Sequence, residues 1–304
     1  MSSVSVVITT YNRAQFLKRA VQSALQAGSD LEVVVVDDCS TDETPDLCAK
    51  LADIRYIRLT TNQGLAHARN VGVAESSSEF IAFLDDDDLR LPGSIDKQLC
   101  KMVSDERIAL CYGRALIGDA HRQLPTGEIY PSECLQGDIF WELLEHNFIP
   151  MPSVLVRKSA LLDVGGFNTG LTLIEDWEMW LRISERFMVA AVEEPVAIHR
   201  KANPDSNQMC SDTAAICKQS IRVQQMALAR TRAQTAAPAK RRRVRSKLRD
   251  CAYEMLMKDA TTLIHNGHAE SGRAKLLDAF RFRPFRAVAS GRLPWLCARA
   301  LIKS

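Results

Sequence analysis

The sequence predicts an α/β fold, a mainly parallel sheet flanked by helices, followed by a helical and basic C-terminal region. Three observations carry the prediction. Apolar runs alternate with amphipathic segments over the first 92 residues, a spacing that implies βαβ crossovers and parallel strands. The runs are nearly unbroken, as in LEVVVV at 31–36, which suits strands covered on both faces. Polar clusters follow the runs at 4–8, 31–36 and 80–84 directly, and open α/β sheets bind ligands at that carboxyl edge.

Taken in order, residues 4–8 form a first buried strand and 9–13 a loop. Phe16, Leu17, Ala20, Val21, Ala24 and Leu25 recur at helical spacing, so 14–27 is a helix, with Gly28 placed to end it. The strand at 31–36 stops at Asp37 and Asp38. Asp42 or Thr41 is placed to cap a helix reaching about residue 52. Residues 54–59 alternate as a third strand, 64–74 read as a helix, and 80–84 as a fourth strand running into Asp85, Asp86, Asp87 and Asp88. Further on, 95–103 and 134–145 read as helices, 109–112 and 153–156 as strands. A short helix at 159–164 ends at Gly165 and Gly166. From Asn207 helical signals dominate, interrupted by a loop at 235–238, with helix, turn and helix over 263–280.

Composition narrows the class. Of 304 residues, 46 % are apolar and 25 % charged, the balance of a globular protein, which excludes pervasive disorder. No apolar run reaches the ~18 residues of a spanning helix. The start, MSSVSVVITTYNRAQF, shows no secretory leader, so a cytoplasmic protein is expected. Nine cysteines lie scattered without C-x-x-C spacing and are expected to be reduced thiols. The net charge of +2 hides a division: residues 1–204 carry 19 Lys/Arg against 30 Asp/Glu, and residues 205–304 carry 20 against 7. An acidic module, 1–204, with a basic appendage, 205–304, follows.

Four consecutive carboxylates at the mouth of a buried strand repel one another. They call either for a hard divalent cation, Mg²⁺ or Mn²⁺, or for a solvated turn that caps the next helix. Asp37 and Asp38 suit nucleobase or ribose contacts, or a simple turn. Residues 240–249 hold seven basic side chains. These fit anionic lipid headgroups, or a solvated face balancing the acidic module; without interleaved aromatics a nucleic-acid site is disfavoured. The basic and apolar stretch 293–303 is ambiguous in the same way. P-loop, dinucleotide, zincin and α/β-hydrolase signatures are absent.

In order along the chain, VSVVITTYNR, VVVVDDCSTDET, NQGLAHARNVG, FIAFLDDDD, GGFN and IEDWEMWLR resemble the family 2 glycosyltransferases of the GT-A fold over about residues 3–200. The resemblance implies a nucleotide-sugar half over about 1–92 and an acceptor half over about 93–204. It implies metal-dependent, inverting sugar transfer from a nucleotide-sugar donor, first of all a UDP-sugar. The acceptor would be a hydroxyl on a glycan or lipid-linked molecule, as in cell-envelope polysaccharide or glycolipid synthesis. On matching positions Thr9, Tyr11 and Asp38 would hold the nucleobase with Asp37 close by, and Arg69 would lie near the nucleotide. Asp85 and Asp87 would form the D-x-D, Asp87 on the metal and Asp86 toward ribose or sugar. Asp176 would be the catalytic base beside Glu175. Trp177 would face the acceptor or else join a core stripe with Trp180. His199 would sit near metal and diphosphate, although Val196-Ala197 replaces the Tyr-Arg that often precedes it. Two rivals remain. A nucleotidyltransferase would need a Gly-rich phosphate loop where TTYNRAQF stands, and an inert binding module would not need Asp85, Asp87 and Asp176.

Overall fold

The computed structural model of the chain describes residues 3–119, 124–200 and 212–283. It forms two compact units, one of Met1–Leu143 and Asn147–Asn203, the other of Leu144–His146 and Pro204–Ser304.

The first unit opens with β1 (Val4–Thr10), α1 (Ala14–Leu25), β2 (Leu31–Asp37), α2 (Thr44–Cys48), β3 (Arg55–Arg58), α3 (Leu65–Glu75) and β4 (Phe80–Asp85). The strands lie parallel in the order β3-β2-β1-β4. Successive side chains of a strand point to opposite faces, and here both faces are covered. Val33 and Val35 join Val4, Val6, Ile8 and the α1 residues Leu17, Ala20, Val21 and Ala24, whereas Val34 and Val36 pack with Ala68 of α3. That double coverage explains the unbroken valine run. Helix α3 sits close on β1: a Cβ at Gly72 would fall 2.3 Å from a methyl of Val7. Helix α2 is shorter than the expected 41–52. Residues 40 and 41 turn back toward the β1 loop instead, where Thr41 N donates to Asn12 Oδ1 (2.7 Å) and Asn12 N to Ser40 Oγ (2.9 Å).

The unit continues with β5 (Leu89–Arg90), α4 (Ser94–Ser104), β6 (Ile108–Gly118), β7 (Pro125–Tyr130) and α5 (Phe140–Leu143). A 3₁₀ turn (Met151–Ser153), β8 (Leu155–Arg157), α6 (Lys158–Asp163), α7 (Glu175–Arg186) and β9 (Met188–Arg200) complete it. The sheet extends from β4 through β8, β6 and β9 to β5, with β7 paired to β6. Strand β8 is antiparallel to both β4 and β6, while β9 runs parallel to β6. The helix expected over 134–145 shrinks to Phe140–Leu143, because Gly137 (φ +90°) exchanges backbone hydrogen bonds with Val189 and holds the preceding chain extended. Strand β9 is an element the sequence does not announce. Glu193, Glu194 and Pro195 interrupt it, and the ladder absorbs them in a register shift, Gly113 facing Val192 and Arg114 facing Pro195.

The second unit holds α8 (Thr213–Leu228), α9 (Thr231–Gln234), α10 (Pro238–His265) and α11 (Ala269–Phe282). Asp212 caps α8 through Ala214 N (3.0 Å) and Pro238 opens α10. Cys217, Tyr253, Leu256, Ala260, Ile264, Leu276 and Ala279 form its core. Gln224 Nε2 bridges the carbonyls of Leu144 (2.9 Å) and Val244 (3.0 Å). Among the described residues no helix is long and apolar enough to cross a membrane, and the described cysteines are free thiols. The stretch 293–303, and residues 207–211 of the expected helical region, lie outside the described residues.

Candidate active site

Parallel register alone assembles the rim. Thr10 pairs with Asp37 and Thr9 with Asp85, so the carboxyl ends of β1, β2 and β4 stand side by side. Asp38 and Asp86 through Asp88 follow directly in the chain. The Thr9 hydroxyl is buried with no hydrogen-bond partner, an orphan polar atom of the kind that marks a ligand contact. Tyr11, next along, is 45 % exposed. Asp38 accepts from the backbone N–H groups of Gln63 and Gly64 (2.8 Å each) and so fixes the turn into α3. Asp37 is fully buried. Its oxygens receive Ser40 N (2.8 Å) and the Tyr56 hydroxyl (2.7 Å), so its role in the free protein is to hold the loop that carries Asp38.

The aspartate run is neutralised by cations from three distant segments. Arg69, buried in α3, pairs with Asp85 (2.7 Å) and, at its other nitrogen, with Glu175. Arg13 reaches Asp86 (3.2 Å) and Asp87 (3.1 Å). Arg200 pairs with Asp87, and its backbone N–H donates to Asp88 (2.7 Å). The Nδ1 of His199 lies 3.0 Å from Asp88, with the ring 47 % exposed. Burial pushes Asp86 and Asp88 above the ordinary carboxylate range, and the Asp88 charge raises the imidazole of His199. Among the described residues no three His, Cys, Asp or Glu side chains are grouped to hold a metal ion. The oxygen donors at the rim thus fit a Mg²⁺ or Mn²⁺ ion only if most of its ligands come with the substrate, as such ions commonly bind.

The second half of the site stands at the N-terminus of α7. Ile174, just before it, has φ +54°, a costly conformation for a β-branched residue. It presents Glu175 and Asp176 in the first helical turn, where the dipole favours negative charge. Asp176 Oδ1 accepts from Trp177 N (2.6 Å) and Oδ2 from Asn147 Nδ2 (3.2 Å). Burial, with the neighbouring charge of Glu175, pushes its carboxyl up to about 6 while Arg69 opposes the rise. The preceding turn is pinned from both sides. Asn70 exchanges two hydrogen bonds with the backbone of Phe167 (2.7 and 2.9 Å), and Arg182, paired with Glu178, donates to the Val164 and Gly166 carbonyls.

One expectation needs correction. Trp177 is only 2 % exposed and its indole N–H donates to the Leu143 carbonyl (2.8 Å); its ring belongs to the core and offers no stacking face to an acceptor. Trp180 is likewise buried, against Phe83 and Phe167. Sequence reasoning passed over Arg13, Asn70, Asn147 and Arg200. Arg13 and Asn70 stand inside the quoted motifs and were within reach, whereas nothing local distinguishes Asn147 or Arg200.

Comparison with known proteins agrees with this architecture. A family model described as "Glycosyl transferase family 2" matches residues 5–164. The succinoglycan biosynthesis protein ExoO of Rhizobium meliloti is 43 % identical over 188 residues, covering 57 % of this chain and 53 % of ExoO. Curated relatives named as glycosyltransferases are matched over as little as 28 % and as much as 74 % of their own length. Among solved structures, S. aureus TarS 1–349 in complex with UDP-GlcNAc superposes with a TM-score of 0.61 at 18 % identity, covering 100 % of this chain and 89 % of that one. The mannosyltransferase PcManGT from Pyrobaculum calidifontis, in complex with GDP-Man and Mn²⁺, gives 0.60 at 18 % identity over 99 % and 86 %. These likenesses establish the GT-A fold. With the family match spanning more than half of its length and containing the aspartate rim, the chain belongs to glycosyltransferase family 2 and is a glycosyltransferase.

Proposed function

We propose that the chain transfers a sugar, with inversion, from a nucleotide-sugar donor to a hydroxyl of a glycan or lipid-linked acceptor in cell-envelope polysaccharide or related glycan synthesis. The observation that carries this reading is Arg69, whose guanidinium joins the aspartate run, at Asp85, to the helix that presents Asp176, at Glu175. One buried residue thereby ties a donor rim to a candidate base. ExoO's name refers to succinoglycan biosynthesis and the two solved structures hold a UDP-sugar and a GDP-sugar, which supports this substrate class. A UDP-sugar is the first donor to test.

In this reading Thr9, Tyr11 and Asp38 hold the nucleobase, with Asp37 bracing them, and Asp85 and Asp86 face the ribose and sugar. Asp87 is the protein ligand for a divalent cation, with His199 as a second candidate; when bound, the cation would stabilise the charge of the departing nucleoside diphosphate. Asp176 takes the proton of the acceptor hydroxyl as that oxygen attacks the anomeric carbon. A base titrating near 6 suits this task, being ionised at neutral pH yet more basic than a free carboxylate. Direct displacement needs no protein nucleophile, so inversion follows.

The basic segment supplies a proposed location. Arg242, Arg245 and Arg249 are exposed on α10 at a spacing that puts them on one stripe, suited to peripheral contact with an anionic membrane from the cytoplasmic side.

A thermal-shift panel tests the core reading. UDP, GDP and their sugars are added with and without Mn²⁺ or Mg²⁺, and ligands of the folded state raise Tm by mass action. A cation-dependent rise with one nucleotide, lost in Asp87→Ala, is expected. No rise with any nucleotide at millimolar concentration would refute it.

A further inference from the structure

We infer that Arg13 is an internal counter-ion that competes with the divalent cation for Asp87, so that the cation and the nucleotide-sugar bind as a coupled pair. The inference rests on the reading above in which Asp87 is the cation's ligand. Its evidence is the pairing of a single oxygen: Asp87 Oδ2 receives Arg13 at 3.1 Å and Arg200 as well. A Mg²⁺ or Mn²⁺ ion on a carboxylate oxygen sits at about 2.1 Å. Two guanidinium groups on that same oxygen would stand a few ångströms from the ion, with only 9 % of the Asp87 side chain reached by solvent. Like charges that close in a poorly screened site repel strongly. The cation therefore enters at the cost of at least one of the two ion pairs.

The structure shows which pair yields. Arg200 is 3 % exposed; its guanidinium lies over the Phe16 ring (4.4 Å) and its backbone N–H is held by Asp88. Arg13 is 28 % exposed and its other acceptor is the neighbouring Asp86. Arg13 is thus the partner with room to leave. Alone, a displaced Arg13 loses an ion pair and gains only water. With a nucleoside diphosphate present, it gains new anionic oxygens, and the same diphosphate supplies further ligands to the cation. Each ligand then raises the affinity of the other by an equal factor, as linkage requires.

The test measures Mn²⁺ binding by the full chain, using the electron paramagnetic resonance signal of free Mn²⁺, with and without UDP and with Mn²⁺–UDP in buffer as reference. Arg13→Gln removes the competing charge and is expected to bind Mn²⁺ alone about tenfold tighter than the wild type, the equivalent of one charge-assisted hydrogen bond. The enhancement by UDP should shrink correspondingly, and Arg13→Lys, which keeps the charge, should stay near the wild type. An Arg13→Gln chain that binds Mn²⁺ no tighter than the wild type overturns the inference. So does a wild type whose Mn²⁺ affinity is the same with and without UDP, a result that needs no variant to fold. If Asp87→Asn leaves Mn²⁺ affinity unchanged in both backgrounds, the cation site itself has been misplaced, and the reading of Asp87 falls with it.

Discussion

Replacing Asp176 by Asn should inactivate the enzyme and stabilise it. An acid whose folded-state value lies above its unfolded one holds its proton more tightly in the folded state. Ionising it then costs stability, a cost absent below about pH 4 and complete above about pH 6. For Asp176 the gap between the ordinary 3.8 and about 6 corresponds to roughly 3 kcal/mol at full ionisation. Two effects reduce that figure. Asp176 is only half-buried, and its charge sits favourably at the N-terminus of α7, which is worth ~0.5–1 kcal/mol. A net gain of about 1–2 kcal/mol at pH 7 remains, or a Tm higher by roughly 2–8 °C for a unit of this size. The assay is thermal unfolding of wild type and Asp176→Asn from pH 4 to 8, beside turnover with saturating donor. The two melting curves should converge toward pH 4 and part through pH 5–6, while turnover falls by about 10³-fold or more, as expected for loss of a general base and its positioning. A constant Tm difference across that range would show that Asp176 does not titrate there. Retained turnover would remove it from the chemistry.

The pH dependence of transfer should have an acid limb near pH 6, and Glu175→Gln should move that limb to lower pH, since the Glu175 charge raises Asp176 and its loss also leaves Arg69 to lower it; initial rates from pH 4.5 to 8 decide this. Gly72→Ala should destabilise the first unit by ~2–3 kcal/mol, because the new methyl meets Val7 at 2.3 Å; urea unfolding reads the loss as a lower midpoint with an unchanged slope. Reversing Arg242, Arg245 and Arg249 to Glu should weaken co-sedimentation with phosphatidylglycerol vesicles at low salt by at least ~100-fold, at about 1 kcal/mol per arginine near the surface, and leave the already weak binding to phosphatidylcholine vesicles as it was. Equal binding of both proteins to the anionic vesicles would remove the basic stripe from any membrane role.

The half of the fold built from β1 to β4 was legible because its physics is local. A strand covered on both faces must be apolar at every position, and Val33 to Val36 are. The rim was legible for the same reason, since Asp37, Asp38 and the run from Asp85 to Asp88 follow their strands in the chain. What was hidden depends on contacts between distant segments. Strand β9 carries Glu193, Glu194 and Pro195, which read as a break, and only the register shift against β6 lets it continue. The 134–145 segment looks helical until Gly137 pairs with Val189. Trp177 looks like a sugar platform until Leu143 takes its N–H. The neutralisation of the aspartates was equally invisible: Arg13 and Arg200 lie 74 and 113 residues from Asp87, and no local pattern announces such pairs.

The two-residue strand β5 has a consequence for how the family can vary. Leu89 and Arg90, next after the aspartates, are laddered to Ile198 and Ala197, next before His199 and Arg200. The main chain, acting as a buckle, sets the spacing between these two sets of charges. Side chains along β9 alternate between faces, so one added or deleted residue between the shift at Pro195 and His199 would exchange the faces on which His199 and Arg200 stand and break the pairing of Arg200 with Asp87. Length variation among related sequences should therefore be rare on the approach to the buckle.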